Sequence, residues 1–369
     1  MNIPFTNKRM RRVTAIVAIA CIIFAGAGCA QIENNNTPTD EDHSPPLTEI
    51  EKMYNATIDG YLNDIPAEQP GAAASSEEQV ALVNKMAQLY EQKASSFDLH
   101  SLYIQGITKL SPAQADEFTA YAIAGMNRNS FSDYTAVENY ASDSEFFERF
   151  LNEGKSIGYK YVYFNLETEN IKDPEIKELV DNAKKQGYYL DSSEGMLYYS
   201  VDFTVFAKYR LYNTQPMASI IETLAIDSLD PMTRDAAFVV SGENLAARTY
   251  RIEKLIADYK GTKYEQYLAV RFRDNMGMLF FGVNNTPAFS YETGVINDET
   301  LALFKDVQTL DSTLMGKSVK EFMIILDANG YMLDEVTRAK ANDILAAIDV
   351  KYGLTDQVVS DYRQWMMGE

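Results

Sequence analysis

The chain has 369 residues, with 53 acidic side chains against 33 basic ones and a formal net charge of −20. That balance excludes nucleic acid as a partner, because phosphate backbones are held by Lys and Arg. It also excludes adhesion to anionic lipid heads through charge. Two cysteines and two histidines are too few for a histidine-rich zinc site or a Cys- or His-based nucleophile system, so neither metal nor cofactor is expected.

The N-terminus reads as an export signal. Lys8, Arg9, Arg11 and Arg12 come first, residues 13–28 are apolar or small apart from Thr14, and no acidic residue precedes Glu33. A basic start, a short apolar core and small residues before a cut are the marks of a secretory signal. The four residues Gly26-Ala27-Gly28-Cys29 resemble the lipobox of bacterial lipoproteins, with Gly26 where that family usually has Leu. The resemblance covers only the first thirty or so residues. It implies a mature chain that begins at Cys29, carries a diacylglyceryl thioether with palmitate-type acyl chains, and is anchored to the cell membrane on its extracytoplasmic side. Three other readings stay open: cleavage before Cys21, an uncleaved span at the lower edge of the roughly 17–25 residues a bilayer needs, and cleavage without lipid. All three leave the rest of the chain outside the cytoplasm, since the basic end stays inside.

Residues 31–46, QIENNNTPTDEDHSPP, hold three prolines, an acidic cluster and His43. Such a segment cannot bury enough surface to fold and reads as a tether. The expected organisation is therefore a signal over 1–28, a lipidated tether over 29–46 and a helical domain, as one body or two packed lobes, over 47–369. Removing the four basic residues of the signal leaves 29 basic against 53 acidic, a formal charge of −24. With Cys29 the sole remaining cysteine, no internal disulfide can form.

Within the domain, EQPGAAASS (68–76) reads as a loop and most of the later segments as helices. Val83, Met86, Ala87 and Tyr90 repeat at the helical spacing behind Ser75 or Ser76 as cap. Ser111 and Pro112 open a second helix, Pro standing where its missing N–H costs nothing. Asp173 and Pro174 open a third, with Ile176, Leu179, Val180 and Ala183 as its buried stripe and Gly187 as its end. Ser241 caps a helix with Leu245, Ile252, Leu255, Ile256 and Tyr259 on one face. Val319, Phe322, Met323 and Leu326 line another, stopped by Asn329-Gly330. Asp334 opens one carrying Ala341, Ile344, Leu345 and Ile348 up to Gly353, and DQVVSDYRQWMM closes the series. The exceptions are YKYVYFNL (159–166) and YYLDSSEGMLYYSVD (188–202), rich in Tyr, Val and Phe, with DSSEG as a turn. The expected fold is mainly α, a multi-helix globular domain with a small β-hairpin or three-stranded element around residues 159–202. It lacks the alternating strands and helices of a two-lobed solute-binding protein.

Catalytic signatures are absent: no H-E-x-x-H, G-x-S-x-G, Walker loop or G-x-G-x-x-G. DANGYMLDE (327–335) is a poor calcium loop, its Gly330 too early and Arg338 where a bidentate Glu belongs, and reads as a helix end followed by a cap. Glu243, Arg248, Arg251 and Glu253 read as a solvated helix face. Near the hairpin, Tyr188, Tyr189, Tyr198 and Tyr199 offer flat amphipathic faces. Strand alternation predicts that one tyrosine of each pair packs inward and the other stays at the surface to contact a ligand. Glu194 at the turn and Asp202 beyond it are either an acid/base pair or, the favoured reading, a solvated turn residue and a helix cap. Asn284 and Asn285 in GVNNTP are further ligand-contact candidates beside an ordinary turn reading. The function expected is a lipid-anchored interaction or ligand-binding role without catalysis, with a protein or glycan partner of unknown identity. The alternative is a carboxylate-dependent hydrolase of cell-wall or glycan material.

Overall fold

The computed structural model describes residues 65–132, 143–156, 168–193 and 196–367, with single positions at 50, 52, 53, 56, 60, 61, 137 and 140. The signal, Cys29, the tether, the 159–166 stretch and Glu194 lie outside the described residues. Residues 49–369 form one compact unit.

Side-chain caps set most of the helix starts. Ser75 opens α1 (Ser76–Glu91) by accepting from the Glu78 N–H, and Ser95 does the same for α2 (Ser96–Gly106) at Asp98. Pro112 begins α3 (Pro112–Ser132), and α4 spans Ser144–Ser156. Asp173 caps α5 (Pro174–Lys185), whose buried residues are Ile176, Leu179, Val180 and Ala183 as the spacing predicts. Gly187 then adopts a φ of 75°, a conformation Gly reaches without steric cost, and turns the chain into β1 (Tyr188–Ser193) and β2 (Met196–Val201). Next come α6 (Phe203–Lys208), capped by Asp202, and α7 (Gln215–Leu229). A two-residue ribbon, β3 (Thr233–Arg234) and β4 (Ala237–Phe238), leads to α8 (Gly242–Asp258), capped by Ser241, and then α9 (Lys263–Phe281). A second ribbon, β5 (Gly282–Val283) and β6 (Thr286–Pro287), precedes α10 (Asp298–Val307) and α11 (Leu314–Ala328). Asp334 caps α12 (Glu335–Tyr352), which ends on left-handed Gly353, and α13 (Asp356–Met367) comes last. The fold is thus mainly α with a small hairpin, and DANGYMLDE is a helix end followed by a cap.

Aromatic side chains fill the core in two clusters. Tyr103 meets Phe206 at 4.6 Å and Phe118 at 6.0 Å between ring centres. Phe280 meets Phe322 at 4.7 Å, with Phe304 beside them. The C-terminal helix is fastened to α3 by polar bonds as well as packing. The Trp365 indole N–H donates to the Ala120 carbonyl at 3.2 Å, and the Asn127 amide donates to the Trp365 carbonyl at 3.2 Å.

The hairpin departs from its expected exposure. Tyr188 pairs with Val201, Tyr189 with Ser200 and Leu190 with Tyr199, so Tyr188 and Tyr199 share one face and Tyr189 the other. Yet Tyr188, Tyr189 and Tyr199 are only 0 %, 9 % and 7 % exposed, and Tyr198 is half-buried. Alternation counts faces; it does not say how many are covered, and here both are. Tyr188 stacks on Tyr199 at 5.3 Å and donates to the Met126 carbonyl of α3 at 2.8 Å. On the opposite face Asp191 pairs with Arg234 of β3.

Candidate functional site

Helix α9 carries the decisive pattern. Leu268, Phe272, Met276 and Leu279 form one buried stripe, as an amphipathic helix would require. A second stripe, Arg271, Asp274, Asn275 and Met278, also faces inward, at spacings i, i+3, i+4 and i+7. It lines a cavity of about 450 Å³, within the size range of small-molecule sites. Helix α7 contributes Leu224, Asp227 and Ser228 to the wall, the hairpin Tyr189 and Tyr199, and α13 Tyr362.

Behind this wall lies a charge network that corrects the reading of Arg248, Arg251 and Glu253 as a solvated face. Arg248 and Arg251 are each 6 % exposed; Glu243 alone of the four is exposed. Arg248 donates to Asp227 at 3.1 Å, to the Asp230 carboxylate at 2.6 Å and to the Asn244 side chain at 2.7 Å. Arg251 donates to Glu222 at 3.0 Å. Glu253 accepts the Met315 N–H at 3.0 Å, a cap on α11 supplied from another helix. Carboxylates on α7 draw the arginines inward, since a buried guanidinium is tolerated only when paired and hydrogen-bonded.

Arg271 extends the network into the cavity by pairing with Asp227. Burial works against its charge, but Asp227, Tyr362 and Asp274 more than offset this and hold its pKa above the ordinary value. Asp274 is treated differently. Burial raises the pKa of its carboxyl, against the pull of Arg273, Arg363 and Arg271. Its ion pair is with Arg273 at 3.5 Å. It also borders a second cavity of about 460 Å³, shared with Asp349, Asp356 and Arg363. Burial pushes the Tyr189 phenol up to about 12 and raises that of Tyr362 despite Arg271, so both are neutral donors at physiological pH.

Asn275 is the residue without an internal explanation. It is 1 % exposed, and neither its amide oxygen nor its amide nitrogen has a hydrogen-bond partner. The Nε of Arg271 is also unpartnered. A buried polar group left in this state costs about 1–3 kcal/mol, and native chains keep such groups where they meet a water or a ligand.

Of the residues singled out from sequence, Tyr189 and Tyr199 reach the cavity and Tyr188, Tyr198 and Asp202 do not. Asp202 is buried and spent as a cap, its carboxylate accepting the Thr204 N–H at 3.0 Å, and burial raises its pKa. Asn284 and Asn285 sit at the exposed β5–β6 turn. The Asn285 N–H donates to the Ala236 carbonyl at 2.7 Å, and Asn284 accepts from the Tyr291 hydroxyl. Asn285 thereby clasps the β3–β4 turn, whose Asp235 and Ala236 have φ of 49° and 53°, the left-handed pair that matches strand twist. Sequence pattern does not single out Asp227, Arg271, Asp274 or Asn275. The last three share one signal, the polar run RFRDN (271–275) between the apolar stretches YLAV and MGMLFF.

No family model, curated protein or solved structure matches this chain. Among the described residues no group of three or more His, Cys, Asp or Glu is placed to hold a metal ion, and no helix is long and apolar enough to cross a membrane.

Proposed function

We propose that this is a lipid-anchored, extracytoplasmic binding protein that takes a small polar molecule into the cavity beside the hairpin and releases it unchanged. The observation behind this reading is Asn275, which borders a cavity of about 450 Å³ and whose two buried amide atoms have no hydrogen-bond partner. Supporting it, the cavity wall combines tyrosines and apolar side chains with a few convergent polar groups, the usual make-up of a ligand pocket. Attachment through Cys29 rests on the signal and lipobox pattern at the N-terminus.

Thermal-shift screening of the purified chain against sugars, amino acids, short peptides and polyamines tests the binding reading. Each compound that raises the melting temperature is repeated on Met278→Trp, which narrows the cavity. Shifts that vanish in this variant, with the helical circular dichroism intact, support the reading; a silent panel, or shifts indifferent to the tryptophan, refutes it. The hydrolase alternative has one observation in its favour, the raised pKa of Asp274, since a general acid needs a carboxyl held protonated. Release of soluble fragments from cell-wall material, lost in Asp274→Asn, would establish it.

A further inference from the structure

We infer that the β3–β4 ribbon is a lid over the cavity, carried on the β5–β6 side and latched to the hairpin by the Arg234–Asp191 ion pair. This rests on the binding reading above and adds how the site opens. The first argument is where burial stops. Pro231, Met232 and Thr233 line the cavity, yet no residue from Asp230 to Ser241 is buried. The helices and the hairpin that form the rest of the wall each hold buried side chains. A segment with few buried contacts has the lowest local opening cost, so this part of the wall gives way first.

The ribbon is built to move as one piece. Thr233 pairs with Phe238 and Arg234 with Ala237, and the Val239 N–H donates to the Met232 carbonyl at 3.1 Å. Both ends are fixed. The Asp230 carboxylate accepts from the Tyr61 hydroxyl at 2.5 Å and from Arg248 at 2.6 Å, and Ser241 is spent as the cap of α8. On the β5–β6 side the ribbon is held by hydrogen bonds between neutral groups. The Asn285 N–H donates to the Ala236 carbonyl at 2.7 Å, and the Phe238 N–H to the Thr286 hydroxyl at 2.8 Å. On the hairpin side Arg234 pairs with Asp191. Both margins of that seam line the cavity: Tyr189, on the face of β1 that carries Asp191, and Thr233, next to Arg234. Parting the pair therefore opens the seam into the cavity.

An ion pair suits a latch. The Arg234 and Asp191 side chains are 11 % and 10 % exposed, so closing the lid strips most of their water, and the desolvation cost offsets much of the attraction. Opening returns both charges to water, whereas parting two apolar faces gains nothing of the kind. The pair thus fixes one closed position and still releases at modest cost. Asp191 keeps its place when the latch parts, since its carboxylate also accepts the Ser192 N–H at 2.7 Å.

Thiol labelling tests the lid without any ligand. Ser228→Cys places a reporter in the cavity wall and Ser318→Cys a control on α11 outside it; the two positions are 2 % and 4 % exposed. Alkylation by N-ethylmaleimide is followed at each position by peptide mass spectrometry on the full chain in detergent, so Cys21 and Cys29 do not interfere. The rate reads the population of the open form when opening is fast relative to labelling. Position 228 is expected to label at least about tenfold faster than position 318, a difference of about 1.4 kcal/mol in opening cost. Either Asp191→Asn or Arg234→Gln should speed position 228 by a further factor of about ten and leave position 318 unchanged. Equal rates at the two positions with the latch intact, or a folded latch variant that speeds both alike or neither, overturns the inference. Because no ligand enters, the lid can fail while compounds whose melting shift vanishes in Met278→Trp keep the binding reading. A silent compound panel with position 228 opening as expected sinks the binding reading alone.

Discussion

Replacing Asn275 by Leu should make the unliganded protein more stable. The two side chains have the same number and branching of heavy atoms, so the exchange leaves no void, although the methyl groups of Leu are bulkier than the amide. What it removes is an amide that is 1 % exposed with both polar atoms unpartnered, a condition that costs about 1–3 kcal/mol. Fitting the bulkier Leu takes up part of that gain, so about 1–2 kcal/mol at most is the gain to expect. In a urea titration the unfolding midpoint should rise with the slope unchanged, the mark of a change in stability alone. A loss of more than about 1 kcal/mol in both Asn275→Leu and the smaller Asn275→Val would mean that the amide has structural partners after all, and the cavity would lose its main claim to be a site.

Three other perturbations probe the charge network, the cavity carboxylate and the anchor. Arg248→Met should cost about 3–5 kcal/mol in the same urea assay, because Asp227 and Asp230 lose a buried counter-charge; a loss below about 1 kcal/mol would mean that the network is solvated. Asp274 should contribute a loss of stability as pH rises from the ordinary carboxylate pKa, because burial holds its carboxyl above the unfolded value and the folded chain binds its proton more tightly. Midpoints measured across pH should show a shallower fall in Asp274→Asn, and an equal or steeper one would contradict this. If Cys29 carries the lipid, Cys29→Ser should abolish incorporation of labelled fatty acid and leave an unprocessed precursor, and normal labelling of the Ser variant would end the lipoprotein proposal.

Local chemistry makes much of the helical scaffold legible. Ser75, Asp173, Ser241 and Asp334 cap the helices that their positions predict, because a cap is a contact over two or three residues and depends on nothing distant. Helix α7 is harder to see. No side-chain hydrogen bond caps it, and it is buried on several sides, so it has no polar face to mark its period. The ribbons β3–β4 and β5–β6 have strands of two residues, too short for alternation to register. The site is hidden for a different reason. Whether Arg248 faces water or Asp227 depends on a partner 21 residues away, and one chain's spacing cannot reveal which charges meet. Asn275 and Asp274 come under suspicion only when α9 is seen to have two inward stripes, one of them polar.

The bond from Trp365 to Ala120 joins residues 245 positions apart, and Tyr362 on the same helix completes the cavity wall. A ribosome or a translocon delivers α13 after α3, α7 and the hairpin, and closing so long a loop gains nothing until it docks. The pocket wall is therefore incomplete until α13 docks: a chain delivered only as far as α12 lacks Tyr362. On the proposed export route a chain still short of α13 would hold an unfinished pocket, and the docking of α13 would complete it. Limited proteolysis of stalled chains would detect it as protection that appears only once α13 has emerged.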